Sequence, residues 1–171
     1  MLVRRAEPSA LEGRKIVVHV LDRESAGPAF GERALEALKA EGFPLHGLDA
    51  TLRHVPYDWS EPSALGELGR AIGSEGAACA VSSEGSLFEY GSDEDIAANL
   101  RAFAQAGPDD AAWVGTQSRA DGDARLFNSA SGAAVRLRGR EELAAVAEGA
   151  LWRVERSVDC PLSVSFRLAR R

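Results

Sequence analysis

At 171 residues, 45% of them hydrophobic and 27% charged, the chain is long enough for one domain whose core needs no disulfide or metal staple. With 20 Lys and Arg against 26 Asp and Glu, a formal charge of −6, it supplies little of the counterion release that drives nucleic-acid binding, and no apolar run of about 18 residues is present to cross a membrane. Two cysteines, Cys79 and Cys160, stand far apart in no CxxC or Cys/His cluster, which argues against a disulfide scaffold or structural zinc, suits a reducing cytoplasm, and reads both as small buried hydrophobes.

Met1-Leu-Val-Arg-Arg5 continues into Ala6-Glu-Pro-Ser9, not into an apolar signal core, so a soluble cytoplasmic protein is expected. Ile16-Val-Val-His-Val-Leu21 is a near-continuous apolar run, the pattern of a strand buried on both faces. Residues 29–41 carry Phe30, Ala34, Ala37 and Leu38 at helical spacing, closed by Gly42. Leu52–Tyr57 reads as a second strand. Pro62 opens a helix whose face is Leu65, Leu68 and Ile72. Ala77-Ala-Cys-Ala-Val81 is a small-residue strand running into Ser82-Ser-Glu-Gly85.

Ser92-Asp-Glu-Asp95 fits a capping sequence for a helix that buries Ile96, Leu100 and Phe103 and stops at Gly107-Pro108. Ala111–Thr116 is a further strand. Residues 119–139, rich in Gly, Ser and Arg, read as a loop with a short helix, and Gly132 as a turn. A helix from Arg140 to Gly149 turns Leu143, Val146 and Ala147 inward. Strands Leu151–Val158 and Leu162–Leu168 close the chain as an antiparallel hairpin around Asp159-Cys-Pro161. The basic patches Arg136–Arg140 and Arg167–Arg171 read as solvated edges. This alternation predicts an α/β fold, a mostly parallel Rossmann-like sheet with helices on both faces and an antiparallel C-terminal strand. The domain organisation expected is one core over residues 14–169 with an extension at 1–13.

In open α/β sheets ligands sit outside the carboxyl ends of the strands. Those ends here are Leu21-Asp22-Arg23-Glu24, Val55-Pro-Tyr57-Asp58-Trp59, Ser82-Ser83-Glu84-Gly85 followed by Phe88 and Tyr90, and Thr116-Gln117-Ser118-Arg119. Asp22 is placed to accept both hydroxyls of a ribose, or is a solvated strand-end acid paired with Arg23. Asp58 can receive a base amino group beside Tyr57 or Trp59. Glu84 is a candidate acid/base and equally a helix-capping residue. His19 reads as a core histidine. His46 and His54 stand at no ligand spacing, so no metal is expected.

Val17 through Glu24, Tyr57-Asp58-Trp59, Val81 through Gly85 with Phe88-Glu-Tyr90, and the terminal run from Trp152 to Leu168 together resemble a class I S-adenosylmethionine-dependent methyltransferase, from its second strand to its last. The resemblance implies that Asp22 holds the cofactor ribose and that Asp58, flanked by Tyr57 and Trp59, approaches the adenine. It implies that Ser83, Glu84 and Gly85 face the methionine end of S-adenosyl-L-methionine, with Phe88 and Tyr90 as walls for a small-molecule methyl acceptor. Methyl transfer from a sulfonium mainly demands positioning; for a hydroxyl acceptor Glu84 is the base.

The family's first strand and its glycine-rich loop have no counterpart, since no glycine precedes Gly13. The expectation is therefore a methyltransferase-like domain incomplete at its N-terminus, with either a gap in the sheet or direct pairing of the strands at Ile16–Leu21 and Ala77–Val81. A non-catalytic partner or subunit with a degenerate methyltransferase fold, homo-oligomeric or complementing a separate subunit, is the alternative, because an interrupted sheet leaves open edges. A nicotinamide-dependent oxidoreductase is a third, and it needs the same loop.

Overall fold

The structure, a computed structural model, describes Leu11 and residues 13–171. It divides into two compact units, Met1–Asp58 and Trp59–Arg171. The extension expected over residues 1–13 lies, apart from Leu11 and Gly13, outside the described residues.

In the first unit, β1 (Lys15–Asp22) and β2 (Asp49–Pro56) pair in parallel, from Lys15 opposite Asp49 to Asp22 opposite Pro56. Helix α1 (Ala26–Lys39) makes the crossover and packs against β2. The apolar, β-branched run of β1 selects a strand, but no residue of β1 is fully buried and Val18 is 43% exposed. The sheet has two strands only, so one edge of β1 has no partner strand among the described residues.

The second unit runs α2 (Ser63–Ser74), β3 (Ala80–Ser83), α3 (Leu87–Tyr90), α4 (Asp93–Ala106), β4 (Ala112–Ser118), α5 (Gly122–Ser131), α6 (Arg140–Glu148), β5 (Trp152–Asp159) and β6 (Ser163–Arg170). Its sheet has the order β3-β4-β6-β5. β3 and β4 are parallel, whereas β6 is antiparallel to both of its neighbours. The final hairpin forms as expected, but the last strand enters the sheet between β4 and β5 and leaves β5 at the edge. The architecture is α/β and Rossmann-like, with an antiparallel C-terminal strand.

Local signals explain most of this unit. Ser92 and Asp95 form a reciprocal capping box: the Ser92 hydroxyl accepts from the Asp95 amide at 3.0 Å and the Asp95 carboxylate accepts from the Ser92 amide at 2.9 Å. The face so aligned buries Ile96, Leu100 and Phe103. Alternation along β4 turns Trp113, Gly115 and Gln117 inward. The Trp113 ring stands edge-on to Phe88 and Phe103, with centroids 6.0 Å away in each case, and to Trp152 at 6.1 Å. Gly115 is required by close approach, because a Cβ there would lie 2.7 Å from the Phe166 ring and 2.8 Å from the Ser83 carbonyl oxygen.

The opposite sheet face is open: Val114, Thr116 and Ser165 are half-buried and Arg156, Val158 and Arg167 exposed. The glycine-rich stretch contains α5, which buries Ala124 and ends at Gly132 in the left-handed region, φ 66°. Cys79 and Cys160 are free and half-buried, less enclosed than their reading as core residues implies. No helix among the described residues is long and apolar enough to cross a membrane.

Candidate functional site

The first unit brings Asp22, Tyr57 and Asp58 to one end. Parallel pairing in register sets Asp22 opposite Pro56, so both strands deliver their carboxyl ends together. The Tyr57 amide then donates to the Asp22 main-chain oxygen at 3.1 Å. The same oxygen lies 2.9 Å from His54 Nε2, which pins the strand end from a second side. The Asp22 side chain accepts the Glu24 amide at Oδ1, 2.9 Å away. Its Oδ2 has no hydrogen-bond partner among the described residues and faces Gly27, where an added Cβ would lie 4.0 Å off. One carboxylate oxygen is thus held by the main chain. Arg23 Nε lies 3.5 Å from the Asp58 carboxylate. Burial, reinforced by the charge of Asp58, pushes the Tyr57 phenol up to about 12.

Trp59 begins the second unit, half-buried, its main-chain oxygen accepting from Asn99 Nδ2 at 2.7 Å. At the carboxyl end of β3, Ser83 is 8% exposed, its hydroxyl 2.9 Å from that of Ser86. Gly85 turns the chain at φ 65°, a conformation that L side chains resist. Glu84 is exposed and borders a shallow hollow of about 210 Å³ shared with Val114, Arg156, Val158 and Arg167, smaller than the usual pocket for a ligand of drug size.

Two expectations change here. Phe88 is fully buried, 4.8 Å from the Phe166 ring and edge-on to Trp113. It is part of the core, which takes it out of any acceptor wall; Tyr90 is 43% exposed. The patch Arg136–Arg140 is not uniformly solvated either, because Arg138 is 5% exposed and donates to Asp93 and to two main-chain oxygens.

Sequence reasoning gave no role to Glu89, His54 or Arg138. Glu89 is half-buried and accepts from the Ser118 hydroxyl at 3.2 Å, so it joins the carboxyl end of β4 to α3. Its place between Phe88 and Tyr90 was the only available signal. His54 signals only by being a polar residue within β2. Among the described residues no group of three metal-ligating side chains assembles.

No protein-family model and no curated protein matches the sequence. Among solved structures the chain is similar to the pyocyanin biosynthetic protein PhzM, with TM-score 0.65 and 18% identity over 99% of this chain and 46% of the other. It is similar to the N,N-8-amino-8-demethyl-D-riboflavin dimethyltransferase of Streptomyces davawensis, with TM-score 0.62 and 14% identity over 99% and 45%. A third is an O-methyltransferase from neocarzinostatin biosynthesis, in complex with S-adenosylmethionine and 2-hydroxy-5-methyl naphthoic acid, with TM-score 0.60 and 18% identity over 90% and 41%. The fold is a methyltransferase fold. The chain spans less than half the length of each of these three solved chains.

Proposed function

We propose that the chain is the cofactor-domain portion of an S-adenosylmethionine-dependent methyltransferase that acts on a small molecule. The observation that carries this reading is Asp22: a strand-end carboxylate whose backbone is held from two sides and whose Oδ2 is open to a ribose hydroxyl. Tyr57 and Asp58 follow it in the chain, and burial with the charge of Asp58 pushes the phenol up to about 12, so it keeps its proton well beyond the usual tyrosine range. They take the adenine side. Ser83 and Gly85, at the end of β3, take the methionine end by the resemblance.

Bound S-adenosylmethionine supplies a methyl group activated on a sulfonium. The residues then orient donor and acceptor for in-line transfer. For a hydroxyl acceptor a carboxylate removes the proton. Glu89 suits that task better than Glu84, because it is half-buried and its Oε1 is held by Ser118, whereas Glu84 is exposed beside a shallow hollow. Tyr90 walls the acceptor side.

A second reading, a non-catalytic partner that pairs with another chain, draws on the two separate sheets. β1 and β3 each stand at an end of their sheet with one unpaired edge among the described residues, and open edges accept further strands.

Equilibrium dialysis against S-adenosylhomocysteine and NADH separates the readings. Retention of S-adenosylhomocysteine but not NADH is expected, weakened about ten- to hundredfold in Asp22→Ala by loss of a hydrogen bond to a charged group. Retention of NADH alone supports an oxidoreductase. Retention of neither, together with oligomers in light scattering, supports the partner.

A further inference from the structure

We propose that Arg138 is the positioning residue of the acceptor side, fixing the single helical turn α3 and with it Glu89 and Tyr90. This rests on the methyltransferase reading only in calling that side the acceptor side. The guanidinium is 5% exposed and spends three donors on one short segment: Nη1 to the Phe88 carbonyl at 2.8 Å, Nη2 to the Gly91 carbonyl at 2.6 Å and Nε to Asp93 Oδ1 at 2.7 Å. These acceptors bracket Glu89 and Tyr90 in sequence. A four-residue turn has too few internal hydrogen bonds to hold its own shape, so it takes its geometry from outside.

The holder is itself held. Gln117, fully buried on β4, donates from Nε2 to the main-chain oxygens of Arg138 and Gly139 at 3.2 and 3.4 Å. The Arg136 amide donates to the Glu89 carbonyl at 2.7 Å, and Ser118, next to Gln117, holds the Glu89 carboxylate at 3.2 Å. The end of β4 therefore reaches Glu89 by two routes, directly through Ser118 and indirectly through Gln117 and the 136–138 strap. Gly91 allows the turn to close, since a Cβ there would lie 2.7 Å from the Leu87 carbonyl oxygen. A planar guanidinium serves three acceptors in fixed directions, and a lysine ammonium does not.

The chain has two tyrosines, Tyr57 and Tyr90, one in each unit, so 3-fluorotyrosine labelling of the full chain gives one fluorine resonance for α3 and one internal reference. In Arg138→Lys the Tyr90 line should be displaced or split while the Tyr57 line and the far-ultraviolet dichroism stay unchanged. The surface variant Arg140→Lys should move neither line. If Arg138→Lys disturbs both lines and the dichroism together, Asp93→Asn, which keeps the guanidinium, decides: movement of the Tyr90 line alone sustains the proposal. Both lines unmoved in Arg138→Lys, or the Tyr90 line unmoved in Asp93→Asn after a collapse, overturns it. Titration of the wild-type chain with S-adenosylhomocysteine is read separately, so a chain blind to that ligand removes the cofactor reading and leaves the positioning result intact.

Discussion

Trp152 donates its indole N–H to the main-chain oxygen of Leu100, 2.9 Å away, and neither residue is exposed. This bond ties the first residue of β5 to the middle of α4, and the same indole packs edge-on against Trp113. Trp152→Phe removes the donor and leaves a cavity beside a buried carbonyl. A loss of about 2–4 kcal/mol in unfolding free energy is expected, read as a lower urea midpoint at constant m value. An unchanged midpoint would mean that the second unit does not depend on this junction.

Gly115 and Gly27 should respond in opposite ways to alanine. At Gly115 the new methyl meets the Phe166 ring at 2.7 Å and the Ser83 carbonyl oxygen at 2.8 Å, the latter on a neighbouring strand that cannot step aside without breaking its ladder. A cost of about 1–3 kcal/mol or more follows. At Gly27, in the first turn of α1, the nearest neighbour is the Asp22 carboxylate at 4.0 Å, an ordinary contact. Gly27→Ala should hold or raise stability through helix propensity. Paired thermal melts of the two variants check the contrast.

Tyr57 gives a prediction in pH. Burial first, and the charge of Asp58 second, raise its phenol to about 12, against about 10 for an unfolded tyrosine. The folded state therefore keeps the proton longer than the unfolded state, so this contribution is complete below about pH 10 and is lost as pH rises towards 12. Phenolate absorbance followed in a Tyr90→Phe background should show a midpoint near 12, lowered part of the way by Asp58→Asn. A midpoint near 10 would place the phenol in water and contradict its burial beside Asp58.

The elements that local chemistry determines were readable from the sequence. The Ser92–Asp95 box and the spacing of Ile96, Leu100 and Phe103 announce α4 without help from the rest of the chain, and the strand-end rule brings Asp22 and Asp58 into view. What escaped depends on distant partners. β6 chooses its place between β4 and β5 through ladders to both, which no pattern within residues 163–170 records. Arg138 looks like its solvated neighbours Arg136 and Arg140 until the carbonyls of Phe88 and Gly91 arrive around it. Phe88 sits among ligand-side residues in sequence, yet Trp113 and Phe166 enclose it. Leu151 adopts φ 72° before β5, a conformation that nothing in a leucine predicts. In the first unit, the apolar run of β1 implied two covered faces, and no residue of the observed strand is fully buried.

Thermal unfolding of the wild-type chain and of Asp22→Ala, with and without excess S-adenosylhomocysteine, tests the cofactor reading most directly. Ligand at about 100 times its dissociation constant stabilises the state that binds it by about 2.7 kcal/mol, a rise of about 5–10 °C in Tm for a domain of this size. That rise in the wild type, absent in Asp22→Ala, is the expected result. A cooperative transition at the same temperature with and without ligand would contradict it, leaving a methyltransferase fold that does not bind S-adenosylhomocysteine.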